Sequence, residues 1–75
     1  MTLLSDIPPG RQCCIRKLRA KGCLGRRLMD LGFHPGVRAK VLRNAPLLDP
    51  VEIMINGSLL SIRHEEASQV EVDDK

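Results

Sequence analysis

Leu24, Leu28 and Leu31 recur at i, i+4 and i+7, the spacing that gathers side chains on one stripe of an α-helix. The pattern predicts a helix from Cys23 or Leu24 to Leu31. Gly32 is its stop, because glycine just past a helix takes the left-handed conformation that closes it, and Phe33 can fold back onto the apolar stripe. Gly25, inside the helix, weakens it by roughly 1 kcal/mol relative to alanine. Pro35-Gly36 then predicts a type II turn. It leads to residues 37–43, where Val37, Ala39 and Val41 alternate with Arg38 and Lys40 as a half-buried strand.

Asn56-Gly57 is the strongest hairpin signal in the chain, since a type I′ turn needs positive φ at both central residues. It joins strands over 50–55 and 58–63, and the two-residue turn sets their register. Ile55 faces Ser58, Met54 faces Leu59, Ile53 faces Leu60, Glu52 faces Ser61 and Val51 faces Ile62. Val51, Ile53, Leu60 and Ile62 therefore form the core face, and Glu52, Met54, Leu59 and Ser61 the other.

The remaining segments are less regular. Residues 11–18 read as a first strand after the Pro8-Pro9-Gly10 turn, with Cys13 and Ile15 on one face and Cys14, Arg16 and Leu18 on the other; either a bulge intervenes or both faces are partly covered. Residues 45–50 form a loop, residues 64–68 a helical turn and residues 69–73 a last alternating strand, with a frayed tail at 73–75. Five short strands and one helix predict a mainly β fold, a small, partly open barrel with a short α-helix between the first two strands. Residues 1–75 make a single domain.

Composition narrows the function classes. There is one Phe and no Trp or Tyr, which removes the aromatic platforms on which nucleic-acid modules stack bases. The net charge of +3 is unevenly spread: Arg11, Arg16, Lys17, Arg19, Lys21, Arg26 and Arg27 run without an intervening acid, whereas acids dominate after Pro50. A bipolar surface is expected, either as two solvated faces or with a basic face that docks an acidic protein or lies near anionic headgroups. No stretch approaches the roughly 20 apolar residues of a membrane span, and residues 1–7 lack the features of a signal peptide.

Candidate chemistry is sparse. Cys13, Cys14, Cys23, His34 and His64 are dispersed without ligand spacing, so no metal site and no cofactor are expected. The adjacent Cys13 and Cys14 imply no disulfide scaffold and fit a reducing cytoplasm. Cys23 reads as a small buried thiol, or as an activated one if it begins the helix. No nucleophile, base and carboxylate converge in the pattern, and no G-x-x-x-x-G-K-[ST] loop is present, so the chain reads as a non-enzyme.

The order of motifs resembles the FeoA family across nearly the whole chain. The likeness rests on Pro9-Gly10, the run Arg27-Leu28-Met29-Asp30-Leu31-Gly32-Phe33 with its Pro35-Gly36 turn, the loop from Ala45-Pro46 to Asp49-Pro50, the glycine hairpin and the ending Leu60-Ser61-Ile62-Arg63-His64-Glu65-Glu66-Ala67. Leu48 departs from it, standing where the family often has glycine, and three cysteines are more than its pattern calls for. The resemblance implies an SH3-like barrel and a cytoplasmic accessory of bacterial ferrous iron uptake, recruited to the inner membrane face by a FeoB-like membrane GTPase transporter. The same barrel resembles the C-terminal domain of iron-dependent repressors, so a metal-responsive regulatory domain is an alternative. A nucleic-acid-associated SH3-like module using the Arg11–Arg27 run on phosphates is the other, without specific nucleic-acid readout.

Partner-binding candidates fall in two groups. Arg26 and Arg27 lie on the polar side of the helix, where Asp30 is expected to pair with either. Leu47, Leu48, Met54 and Leu59 fall on the non-core face of the hairpin or in the loop beside it. As a contiguous apolar group they would dock the transporter or a second copy of the chain; the helix or N-terminal segment covering them is the competing expectation.

Overall fold

A computed structural model describes residues 2–45 and 49–74, and among these residues the chain forms six short strands, one helix, one 3-10 turn and one helical turn. In order they are β1 (Thr2–Leu3), a 3-10 turn (Leu4–Asp6), β2 (Gln12–Leu18), α1 (Gly22–Asp30), β3 (Arg38–Arg43), β4 (Val51–Ile55), β5 (Ser58–Ile62), α2 (His64–Ala67) and β6 (Val70–Asp74). The strands pair antiparallel in one sheet ordered β1-β6-β2-β3-β4-β5. Its ends, β1 and β5, do not pair with each other, so the barrel stays open there.

The hairpin has the register its turn demands. Val51 to Ile55 face Ile62 to Ser58 pair by pair, with Asn56 at φ 51° and Gly57 at φ 79°. Val51, Ile53, Ile55 and Ile62 are buried, and Leu60 packs on the core from the edge strand.

In β2 the bulge is real. Pairing with β6 shifts between Ile15 and Lys17, which leaves Arg16 as the extra residue. Cys13 and Ile15 point inward before it, and after it Leu18 packs on the core instead of sharing the outer face of Cys14. One inserted residue thus reconciles the poor alternation with a buried face.

Three expectations need correction. A sixth strand, β1, pairs Thr2 with Val72 and Leu3 with Glu71, and because it precedes the others α1 lies between the second and third strands. Two residues carry no readable period. The residues that follow β1 also reach the core, where Leu4 and Ile7 are fully buried; Asn44 Nδ2 donates to the carbonyls of Ser5 at 3.1 Å and Ile7 at 2.7 Å. Asp73 and Asp74 are not frayed but belong to β6, opposite Cys14 and Cys13, while Lys75 lies outside the described residues.

Candidate protein-docking interface

Helix α1 ends in a double hydrogen-bonded cap. The N–H of Phe33 donates to the Leu28 carbonyl at 3.1 Å and that of Gly32 to Met29 at 3.0 Å, with Gly32 at φ 110°. Phe33 is fully buried beside Leu28, while Leu24 and Leu31 pack at the core's margin. The other flanks of the helix face outward and carry Cys23, Arg26, Arg27, Met29 and Asp30, all exposed.

Arg27 does not pair with Asp30. Its Nη1 donates to Glu66 Oε2 at 2.5 Å, while Glu66 Oε1 accepts the backbone N–H of Arg63 at 2.9 Å. Glu66 is the buried charged residue among those described, and it ties α1 to α2. A shallow cleft lies over this link, lined by Leu24, Arg27, Ser61, Arg63 and Glu65. Arg26 takes part in no ion pair among the described residues and stands exposed.

The basic run and the acidic last strand are not set apart. Antiparallel pairing of β2 with β6 sets the basic run against the acidic end, so Arg11 meets Asp74 at 3.3 Å, Arg16 meets Asp73 at 3.5 Å and Arg19 meets Glu71 at 3.9 Å. Such surface pairs contribute little stability, and they set an acid beside three of the cations in the basic run.

On the opposite face of the hairpin, Met54 and Leu59 are cross-strand partners, Met54 half-buried and Leu59 59% exposed. Lys40 pairs with Met54 from the β3 side. Leu42 of β3 is also exposed, at 38%. Leu47 and Leu48 lie outside the described residues.

The cysteines divide differently from expectation. Cys23 is exposed at the start of α1, Cys14 is intermediate and Cys13 is buried. Burial, reinforced by the charge of Asp74 and by Cys14, pushes the Cys13 thiol from 9.0 up to about 11, which makes it inert at neutral pH. His64 serves structure: its N–H donates to Asp49 Oδ1 at 2.8 Å and its Nε2 lies 2.8 Å from the Ala45 carbonyl. Among the described residues no group of three or more His, Cys, Asp or Glu is placed to hold a metal ion, and no helix is long and apolar enough to cross a membrane.

A second groove went unread in the sequence. It runs between the end of β2 and the outer flank of α1, with Leu18, Ala20 and Met29 on its floor and Lys21 and Arg26 at its rim. The available signal was Met29, an apolar residue off the Leu24-Leu28-Leu31 stripe.

A FeoA-domain family model matches residues 2–74. A Porphyromonas gingivalis Fe(2+) transport protein A/Fe(2+) transporter FeoB fusion protein is 34% identical over 70 residues; the match takes in 93% of this chain and 8% of the fusion protein's length. The solution structure of a FeoA protein from Chlorobium tepidum superposes with a TM-score of 0.87 at 41% identity, over 97% of this chain and 70% of that one. A Stenotrophomonas maltophilia FeoA crystallised with zinc and described as an SH3 domain protein gives 0.87 at 25% identity, over 97% and 91%. A manganese-dependent transcriptional repressor shares the fold alone, at a TM-score of 0.88 and 15% identity over 99% of this chain and 41% of the repressor. With its SH3-like sheet, its helix cap and a family match spanning residues 2–74, the chain belongs to the FeoA family.

Proposed function

We propose that this chain is a non-enzymatic accessory of ferrous iron transport that works at the cytoplasmic face by contact with a FeoB-like membrane GTPase. The observation that carries the reading is the Porphyromonas gingivalis fusion, in which a segment 34% identical to this chain is one polypeptide with a FeoB transporter. Fusion keeps two modules at high effective concentration, which is useful where they touch. The Stenotrophomonas maltophilia relative, described as a candidate activating factor of ferrous iron transport, supports the same reading.

The residues proposed for the contact are Arg26 and Arg27 on α1, and Met54 and Leu59 on the outer face of the hairpin, with Leu47 and Leu48 in the loop beside it. A second copy of the chain is the other occupant proposed for the Met54–Leu59 side. Modulation of the transporter requires unequal affinity for two of its states. Binding of the tagged full chain to a detergent-solubilised FeoB-like transporter, with and without a non-hydrolysable GTP analogue, tests the reading. Capture that changes with nucleotide is expected; no capture in either state overturns it.

A further inference from the structure

Seven cations lie between Arg11 and Arg27, and the fold treats them unequally. Arg11, Arg16, Arg19 and Arg27 are matched to Asp74, Asp73, Glu71 and Glu66. Lys17, Lys21 and Arg26 have no acid partner among the described residues. Two of these three, Lys21 and Arg26, flank one groove, whose floor is formed by Leu18, Ala20 and the exposed side of Met29.

The groove owes its shape to the close approach of α1 to the chain before it. A Cβ on Gly25 would lie 2.5 Å from the Ala20 carbonyl oxygen, so only glycine lets the helix backbone approach Ala20 this closely. Met29 lines it with a side chain that is 45% exposed. Asp30 and His34 also line it, and Asp30 is its single carboxylate. An apolar floor beneath two unpaired cations accommodates apolar side chains flanked by carboxylates.

We propose that this groove binds an acidic amphipathic segment of a partner protein, its apolar side chains against Leu18, Ala20 and Met29 and its carboxylates at Lys21 and Arg26. Two unpaired cations favour a peptide over a lipid surface, because anionic membranes are held by clusters of about four to eight cations, and Arg11, Arg16 and Arg19 nearby are already matched to acids. The inference rests on the reading that the chain acts through protein contact; it adds the surface and the chemistry of the partner. Lys21→Glu/Arg26→Glu and Met29→Glu alter exposed side chains, so both variants are expected to keep the wild-type Tm.

Three measurements on the full chain test it. Where wild type captures a solubilised FeoB-like transporter, capture is expected to fall by about tenfold in each variant; undiminished capture by the variants then overturns the groove while leaving the functional reading intact. Amide shifts are then followed on adding a synthetic peptide with Leu and Glu at helical spacing. Shifts centred on residues 18–34, lost in Lys21→Glu/Arg26→Glu, support the groove even if wild type captures no transporter, which removes only the functional reading. Shifts elsewhere, or none, overturn it. Vesicles containing phosphatidylglycerol are the third probe: binding that depends on Arg26, without any peptide response, assigns the groove to lipid and overturns the proposal.

Discussion

Arg27 of α1 donates to Glu66 of α2 across 39 residues of chain, and the same carboxylate accepts the Arg63 N–H that opens α2. The partners differ in exposure, 59% for the Arg27 side chain and 10% for that of Glu66, so their removal should not cost the same. Arg27→Ala loses a solvent-screened pair and is expected to cost up to about 1 kcal/mol. Glu66→Ala also leaves the Arg63 N–H without its acceptor and is expected to cost about 1–3 kcal/mol. Urea unfolding should rank Glu66→Ala below Arg27→Ala; equal losses would show that the α2 cap contributes nothing.

Gly25→Ala discriminates between helix propensity and tertiary packing. Propensity alone predicts a gain of roughly 1 kcal/mol. The added Cβ would meet the Ala20 carbonyl oxygen at 2.5 Å and its carbon at 3.1 Å, and backbone does not give way cheaply. A net loss of about 1–3 kcal/mol is expected. A raised Tm would show that α1 can lift away from residues 18–20.

These two sites mark where sequence reasoning stops. The hairpin was legible because Asn56-Gly57 and the alternation around it are local, and a two-residue turn leaves one register. The α1 cap was legible for the same reason. The glycine inside α1 looked like a defect because its reason, the Ala20 carbonyl, lies outside the helix. Likewise the basic and acidic runs seemed to oppose each other until β2 paired with β6, a contact between residues about 60 apart that no local pattern encodes. Of the candidate site, Arg26 was found from the helical stripe, but the groove beside it required knowing that α1 folds back on the end of β2.

The Cys13 thiol predicts a pH dependence. Its folded pKa of about 11 lies above the ordinary 9.0, so folding favours the neutral thiol. The associated stability is fully present below pH 9.0 and is lost as pH rises through about 11. Unfolding free energies at several alkaline pH values should therefore fall less steeply for Cys13→Ala than for wild type. Iodoacetamide at pH about 8 should label exposed Cys23 first and leave Cys13 intact until the chain unfolds. Equal labelling of the two thiols would contradict this order.

The β2–β6 ion pairs predict weak nucleic-acid binding that becomes stronger when the acids are removed. Glu71→Gln/Asp73→Asn/Asp74→Asn should release Arg11, Arg16 and Arg19 at a cost of about 0.2–1 kcal/mol per exposed pair. Filter binding to a DNA duplex at about 50 mM and about 200 mM salt should show salt-sensitive retention by the variant and little by wild type. Tight wild-type retention at the higher salt would favour the nucleic-acid alternative instead.

Met54 and Leu59 provide the test of the hairpin's outer face. They face each other across β4 and β5, and β5 is an end strand of the sheet, so an apolar pair lies beside an unpaired strand edge. Leu59 is more than half exposed, and replacing it with serine removes little buried area; half-buried Met54 loses more. The Met54→Ser/Leu59→Ser variant is expected to stay folded, with a stability loss of about 1 kcal/mol. If this face docks the transporter or a second copy, the variant should lose transporter capture or shift sedimentation at high concentration toward the monomer. Unchanged capture and sedimentation with near-native stability would remove the hairpin face from the interface and leave α1 as its remaining candidate.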